Sequence, residues 1–232
     1  MVILAPIVAY LTLLHTPGWA GMCSDKDGMS DEVRQAFVDK HNEYRSLVAK
    51  GKAVNGIGGF APKAARMFKM KYDCDVEKKR HGWGENLWAI SVPDYNKTKS
   101  AISATYAWFK ELERYGVPAK NVLTMDVFNR GVGHYTQVVW QQSDRIGCAV
   151  KTCSKTTYAG CQYKDAGNVL NNPIYDIGNP CRKDTDCQYE ILTSVLGDKV
   201  FEILFEFNSV FSSLKNAKND KAASAEWVQV TY

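Results

Sequence analysis

The stretch Gly133-His134-Tyr135-Thr136-Gln137-Val138-Val139-Trp140-Gln141-Gln142-Ser143 is the most informative part of this 232-residue chain. It is rich in threonine, valine and aromatic residues, which favour extended backbone, and it therefore predicts a strand from His134 to Trp140. Two segments of the same character follow, at Arg145 to Val150 and Thr157 to Tyr163. This part of the chain is therefore predicted to supply a sheet.

Helices are predicted on the N-terminal side of these strands. Ser30 can cap a helix in which apolar and aromatic residues recur at three- and four-residue steps as far as Val48, and Gly51 ends it. A second helix is predicted from about Thr98 to Tyr115, where Gly116-Val117-Pro118 stops it. Helices that precede strands in this way favour an α+β fold.

Composition disfavours several classes of partner. The formal net charge is only +4, so no nucleic-acid partner is expected. The densest basic stretch, Lys63 to Arg80, is interleaved with apolar side chains and is interpreted as a solvated face, with a heparin- or nucleic-acid-binding patch as the alternative. No segment is both long and uncharged enough to predict a transmembrane helix.

Residues 1–20 predict a signal peptide. An apolar, uncharged run from Val2 to Leu14 is followed by a Pro17-Gly18 break and by the small residue Ala20. A buried N-terminal helix is the alternative interpretation. We therefore expect the protein to be secreted and extracellular.

The cysteines follow the predicted signal peptide, so in a secreted protein they would meet an oxidising environment and be expected to form disulfide bonds. Their odd number leaves one over, and the absence of a Cys-x-x-Cys pair disfavours a cysteine zinc site. The candidates for disulfide bonds are Cys23, Cys74, Cys148, Cys153, Cys161, Cys181 and Cys187. The sequon Asn96-Lys97-Thr98 predicts N-glycosylation of Asn96 in a surface segment.

Several motifs together resemble those of the CAP superfamily (cysteine-rich secretory proteins, antigen 5 and pathogenesis-related 1 proteins; the SCP domain). The stretch 133–143 is similar to one long signature of that family, and Gly84-Glu85-Asn86-Leu87 and His41-Asn42-Glu43-Tyr44-Arg45 are similar to two shorter ones. A second long signature, Tyr158 to Val169, is matched more loosely because Ala159 and Asp165 depart from it. The details look closest to the nematode branch, the Ancylostoma-secreted or activation-associated secreted proteins. The resemblance implies a three-layer αβα sandwich with a central, mostly antiparallel sheet.

The family also has a cleft lined by two histidines and two glutamates, and the resemblance carries three of these over as Glu85, Glu111 and His134. In relatives a helix that supplies the other histidine and a cysteine lies before Gly-Glu-Asn. Here only ten residues separate Cys74 from Glu85, so that helix is missing, which also accounts for the odd number of cysteines. His81 is the candidate replacement.

Such a cluster can perform different kinds of chemistry. His134 and His81 could hold a zinc ion together with carboxylates, or a carboxylate could act as a general base. Alternatively, the glutamate and histidine simply tie one element to another by hydrogen bonds. For His41, on the first helix, a buried hydrogen bond is the favoured interpretation. The tryptophans are interpreted as core or cleft packing, with a lipid groove as the alternative: Trp83, Trp88, Trp108 and Trp140.

The predicted organisation is a signal peptide at 1–20, the CAP domain at 31–180, a truncated cysteine-rich hinge at 181–187 and an atypical helical or disordered tail at 188–232. The tail carries apolar residues at helical steps, and we expect it to pack poorly on the domain or not at all. These residues are Leu192, Val195, Leu196, Val200, Ile203, Leu204, Phe207, Val210, Phe211 and Leu214.

The function predicted from these features is binding outside the cell rather than catalysis. Loops displayed on a rigid, disulfide-tied domain would engage an extracellular protein or a cell-surface partner, with no cofactor required. The nematode resemblance implies a parasite protein that contacts its host and modulates immunity. The alternatives are a sterol or fatty-acid carrier and a metal-assisted hydrolase that uses the histidine and glutamate cleft.

Overall fold

The structure, a computed structural model, describes residues 21–23, 28–78 and 84–181. The predicted signal peptide, His81, Trp83, Cys187 and the tail at 188–232 lie outside these residues. In chain order the described elements are α1 Asp31–Ala49, β1 Lys71–Tyr72, α2 Cys74–Lys78, β2 Gly84–Ile90, α3 Lys97–Phe109, α4 Glu111–Tyr115, α5 Met125–Phe128, α6 Gly133–Val138, β3 Arg145–Cys153 and β4 Thr156–Lys164.

The strands form one mixed sheet in the order β1-β3-β4-β2. β1 runs parallel to β3, whereas β3 with β4 and β4 with β2 pair antiparallel, so the predicted mostly antiparallel sheet is confirmed. Cys148 and Cys161 are directly opposite each other on β3 and β4 and are joined by a buried disulfide. The two long strands are therefore linked covalently as well as by their hydrogen-bond ladder.

Helices lie on both faces of the sheet, as the predicted αβα sandwich requires. α1 and α3 cover the face on which Ile146, Cys148 and Val150 are buried. The opposite face is approached by the short helix α2, whose backbone lies against Gly147. A Cβ atom added at Gly147 would lie 2.0 Å from the backbone nitrogen of Glu77, so only glycine permits this close approach.

The N-terminal helix begins and packs as its sequence predicts. The Ser30 hydroxyl accepts a hydrogen bond from the backbone nitrogen of Val33 at 3.4 Å, and Gly51 follows the helix with a left-handed φ of 66°. The predicted apolar stripe is buried throughout, at Val33, Phe37, His41, Tyr44 and Val48. The predicted second helix is divided at Lys110 into α3 and α4.

The strand predicted from His134 to Trp140 is wrong, because these residues lie largely in helix α6. Tertiary hydrogen bonds outweigh the local preference for extended backbone. The carboxylate of Glu111 accepts from the first backbone amides of the helix, and the buried guanidinium of Arg45 donates to the carbonyl oxygen of Val138 at its last residue. The strands predicted after it are both present, as β3 and β4.

Two disulfides are defined within the described residues, Cys23–Cys74 and Cys148–Cys161. Cys181 is also disulfide-bonded, whereas Cys153, exposed at the end of β3, is a free thiol. The first disulfide fixes the segment before α1 to the start of α2. Of the helices described, none has the length and apolar character needed to cross a bilayer.

Candidate functional site

A cavity of about 300 Å³ opens where β2, α4 and α6 meet. It brings together the three site residues that the resemblance implied, Glu85, Glu111 and His134. The remaining lining residues come from β2, from the end of α5 and the loop after it, from the start of α6 and from the loop after β4: Asn86, Phe128, Gly131, Gly133 and Asn168. Glu85 lies on β2 opposite Gln162 and is exposed.

Glu111 uses both of its carboxylate oxygens to hold the first turn of α6. Its Oε2 accepts hydrogen bonds from the backbone nitrogens of His134 and Tyr135, at 2.9 and 3.0 Å. Its Oε1 lies 2.6 Å from Nδ1 of His134. A carboxylate at this position satisfies amides that the helix itself leaves without partners. Glu111 therefore acts as a clamp on the segment that carries His134.

His134 is fixed by this clamp and by packing. Its imidazole is stacked near Trp108, with ring centroids 6.4 Å apart and planes inclined by 17°. The side chain is 43% exposed, compared with 14% for Glu111. Because Nδ1 is engaged by the carboxylate, Nε2 is the ring nitrogen available to a ligand in the cavity.

Two asparagines that the sequence reasoning did not single out hold the same turn. Asn86 Nδ2 donates to the carbonyl oxygen of His134, and Asn168 Nδ2 donates to that of Gly133. Asn168 Oδ1 also accepts a hydrogen bond from the Thr136 hydroxyl at 2.6 Å. Asn86 belongs to the motif Gly84-Glu85-Asn86-Leu87 and Asn168 to the looser signature from Tyr158 to Val169, so their position in those motifs was the available signal.

Behind the cavity, His41 makes the buried hydrogen bonds that its sequence context predicted. Its Nδ1 lies 2.7 Å from the carbonyl oxygen of Phe37, to which it donates, and its Nε2 lies 2.7 Å from the Tyr163 hydroxyl, from which it accepts. Asn86 Nδ2 donates to that hydroxyl as well, at 3.1 Å. A continuous network thus runs from the core of α1 through Asn86 to the backbone of His134.

Comparison with known proteins identifies the family. The model of the family described as "Cysteine-rich secretory protein family" (CAP) matches residues 38–163 of the chain. The chain belongs to this family. Residues that match the family's motifs therefore lie in a CAP domain, and Glu85, Asn86, Glu111 and His134 all fall within the matched range.

Three similar proteins are informative. The chain is 41% identical over 179 residues to the Ancylostoma secreted protein of Ancylostoma caninum, which covers 68% of this chain but only 42% of that protein. It is 31% identical to cysteine-rich secretory protein 3 of Equus caballus, covering 77% of this chain and 78% of that one. The crystal structure of NaASP2 with Zn²⁺ matches with a TM-score of 0.66 and 46% identity, over 68% of this chain and 92% of that chain.

The CAP cavity offers part of what a zinc ion requires. A histidine whose Nδ1 is bound to a carboxylate is the usual way in which an imidazole is oriented for a metal, and His134 has this arrangement with Glu111. Among the residues that the structure describes, however, no three His, Cys, Asp or Glu side chains are grouped closely enough to hold a metal ion. The other predicted ligand, His81, lies outside them, so the described part of the cavity supplies one imidazole with its supporting carboxylate.

The described tryptophans of the CAP domain are mainly core residues, which is the interpretation that the sequence favoured. Trp108 and Trp140 are buried, and Trp88 packs against the core with partial exposure. A second cavity of about 310 Å³ lies beside Trp140 and is lined in part by Val169, Pro173 and Tyr175.

Exposed apolar side chains lie on the elements around the site cavity. Phe128 lines the cavity, and the ring of Tyr115 packs at Gly131 on its edge. The loop at 54–60 packs on α4, because the Gly56 nitrogen donates to the Leu112 carbonyl oxygen at 2.9 Å. We call four exposed apolar side chains of this loop, of α4 and of α5 the apolar rim: Ile57, Phe60, Tyr115 and Phe128.

Proposed function

We propose that this CAP-domain protein is secreted and binds an extracellular protein on host cells through the apolar rim, without catalysis. The observation that carries the proposal is the exposure of the rim, in which Phe60 is 62% and Ile57 is 52% exposed. Exposed aromatic and aliphatic side chains grouped beside a cavity are typical of sites that bind proteins. The similarity to the Ancylostoma secreted protein and the disulfides support secretion. The host setting is what the resemblance to the nematode branch implies.

The hydrogen bonds of Glu111 support binding over catalysis. A general base needs a carboxylate oxygen that is free to take a proton from substrate. Glu111 instead gives both oxygens to the first turn of α6, so its loss would loosen the His134 segment. The network that reaches Asn86 holds the cavity wall rigid, which favours a preformed binding surface.

The binding test uses the full chain secreted from eukaryotic cells, labelled and incubated with mammalian leukocytes, platelets and endothelial cells. We expect saturable binding to at least one cell type by flow cytometry. Replacing Phe60 and Phe128 together by alanine should weaken that binding at least about tenfold, because central aromatic contacts dominate most interfaces. Circular dichroism checks that the variant retains its fold.

The matched control is Ile177→Ala, which removes an equally exposed apolar side chain outside the rim and should leave binding unchanged. Absence of saturable binding to every cell type, or wild-type binding by the rim variant, would overturn the proposal. A hydrolytic activity that disappears in both Glu111→Gln and His134→Ala, with the fold retained, would favour the enzyme alternative.

A sterol or fatty-acid carrier is the second candidate, and the cavity beside Trp140 is the observation in its favour. Its volume is at the lower limit of small-molecule sites, so it would hold only part of a sterol. Mass spectrometry of lipids that co-purify with the secreted protein tests this candidate. A preparation free of lipid that also fails to take up labelled sterol would remove it.

We also propose that Asn96 carries an N-linked glycan. Asn96 is exposed at the N-terminus of α3, where its Oδ1 accepts a hydrogen bond from the Lys99 nitrogen at 2.9 Å. The cap does not use Nδ2, to which a glycan attaches, so the modification is compatible with the fold. We expect peptide N-glycosidase F to increase the gel mobility of the secreted wild type and of Thr98→Ser. Thr98→Ala should migrate as the deglycosylated protein before treatment, and a Thr98→Ala variant that still shifts would contradict the assignment.

A further inference from the structure

Three exposed cations lie beside the apolar rim: Lys52, Arg114 and Arg130. None of them forms an ion pair with an acidic side chain that the structure describes. A surface cation keeps its water while it stays exposed, but an interface that covers it removes that water. The charge then needs a counter-charge on the partner, because burying it without one is costly.

Lys52 lies beside Phe60 on one face of a short two-stranded ribbon. Val54 and Phe60 form an antiparallel bridge, and the Ala61 nitrogen donates to the Ala53 carbonyl oxygen at 2.8 Å. Both alanines are buried, so strand alternation turns Lys52, Val54 and Phe60 outwards. Diagonal neighbours in such a pair are about 7–8 Å apart, which is within about one Debye length at physiological salt. The charge of Lys52 therefore acts on a group that contacts the Phe60 ring.

Arg114 lies where the loop that carries Ile57 packs on α4. A Cβ atom added at Gly56 would be 3.2 Å from the backbone carbonyl carbon of Arg114. One added at Gly116, two residues further along, would be 2.6 Å from Cγ2 of Ile57. The exposed side chain of Arg114 thus leaves the backbone next to this loop.

Arg130 lies next to the part of the rim that borders the cavity. It directly precedes Gly131, where an added Cβ atom would be 3.4 Å from Cε2 of Tyr115. Gly131 and Phe128 both line the cavity. The three cations are therefore distributed over the loop, α4 and the end of α5, as the apolar side chains of the rim are.

Few acidic side chains on these elements offset the cations. The segment 50–63 contains three lysines and no acidic residue. On α4, Glu111 is engaged by the first turn of α6 and Glu113 is paired with Lys110. Asp126 on α5 is the remaining acid of the rim elements, and Glu85 lies in the cavity. The surface around the rim is therefore positively charged.

We propose that the partner of the rim is a protein whose contact surface is acidic, with carboxylates around an apolar centre; this inference rests on the proposed function. Opposite charges around an apolar contact select the partner and accelerate association. A sulfated glycan would also attract the cations. The observations favour a protein, because Ile57, Phe60 and Tyr115 lie among the cations and only a partner with apolar side chains would cover them.

Binding of the labelled, secreted full chain to the mammalian cells at 50 and 300 mM NaCl, with sucrose holding the osmolarity constant, tests this inference. We expect the wild type to bind at least about fivefold more weakly at 300 mM, because salt screens exposed charges. Lys52→Glu with Arg130→Glu should weaken binding at 50 mM at least about tenfold and remove most of the salt dependence. Both positions are exposed, and circular dichroism checks that the fold is retained.

The matched control is Lys99→Glu with Lys155→Glu, which makes the same change in net charge at exposed positions on the first turn of α3 and in the β3–β4 turn. It should bind within about twofold of the wild type. Binding that depends on Phe60 and Phe128 but responds neither to salt nor to the charge reversal would overturn the acidic partner and leave the proposed function standing. Absence of saturable binding would overturn both.

Enzymatic treatment of the cells separates the two kinds of polyanion. Binding that persists after heparinase and chondroitinase digestion, and is lost after trypsin, supports an acidic protein. Loss of binding after digestion of the glycans would overturn the inference in favour of a sulfated glycan.

Discussion

Replacing Arg45 by methionine is expected to lower the free energy of unfolding by about 4 kcal/mol, a large part of the stability of a domain of this size. Arg45 is fully buried on α1. Its guanidinium donates four hydrogen bonds to backbone carbonyl oxygens, those of Phe68 at 2.7 Å, Val138 at 3.0 Å, Trp140 at 2.9 Å and Gln141 at 3.3 Å. Methionine fills similar volume but donates none of them.

The size of the effect follows from what the substitution leaves behind. Each buried carbonyl oxygen that loses its donor costs about 1–3 kcal/mol, and little water can reach these oxygens in the core. Three of the four carbonyls lie at or just after the end of α6. The loss should therefore also release the C-terminal end of the helix that carries His134. Glu111 holds the other end, so charged side chains fix α6 at both ends with the signs that its dipole favours.

Urea denaturation at neutral pH, followed by tryptophan fluorescence, measures this effect. Arg130→Met is the matched control, because Arg130 is exposed and its replacement should change stability by less than about 0.5 kcal/mol. Arg45→Lys should recover only part of the loss, since an ammonium group cannot reach four carbonyls arranged around a planar guanidinium. Equal denaturation midpoints for Arg45→Met and wild type would show that the hydrogen bonds contribute little.

Much of the architecture could be predicted because local signals and burial agree. Ser30, the apolar stripe of α1 and the alternating strands β3 and β4 each specify their own conformation. The segment at 133–138 could not be predicted in this way. Its threonine, valine and aromatic residues favour a strand, and the groups that make it helical, Glu111 and Arg45, are distant in sequence.

In the candidate site, too, some features could be predicted from the sequence and others depend on packing between distant residues. The motif resemblance predicted that Glu85, Glu111 and His134 lie together, and all three line one cavity. Such a prediction is possible because residue types at fixed motif positions carry over with the fold. It did not show that Glu111 is a backbone clamp, since that role depends on the amides of α6 and not on the residue type. The apolar rim was also beyond sequence reasoning, because Ile57 reaches the end of α4 and Phe128 reaches the cavity only through packing around Gly116 and Gly133.

The second large effect concerns pH. The free energy of unfolding is expected to fall by roughly 3 kcal/mol between pH 6.5 and pH 4 because of His41 alone. Burial lowers the pKa of His41 to about 4, and this outweighs the raising effect of its hydrogen bond to the Phe37 carbonyl. In the unfolded chain the imidazole has its ordinary pKa of 6.5. Between these values the unfolded state binds a proton that the folded state excludes, so the equilibrium shifts toward unfolding as the pH falls.

The contribution of His41 to the acid loss of stability can be separated from that of the carboxylates, which also titrate in this range. The pKa of Glu77 is affected most by burial, which raises it, but its hydrogen bonds with Arg34 and Tyr72 leave it lowered overall, so this pair also loses stability in acid. That loss is common to the wild type and to His41→Gln. The variant is less stable at pH 7, because the hydrogen bonds to Phe37 and Tyr163 are disturbed. It should lose roughly 3 kcal/mol less than the wild type on going to pH 4.

Urea denaturation at half-unit pH intervals from 7.5 to 3.5 compares the wild type, His41→Gln and His134→Gln. The His134→Gln variant leaves the buried hydrogen bonds of His41 in place, so it should keep the steep acid loss that His41 causes in the wild type. Parallel curves for wild type and His41→Gln would mean that the folded protein admits a proton at His41 near neutral pH. The buried network that joins α1 through Tyr163 and Asn86 to the cavity would then have to tolerate a charge, since His41 Nε2 would become a donor to the Tyr163 hydroxyl.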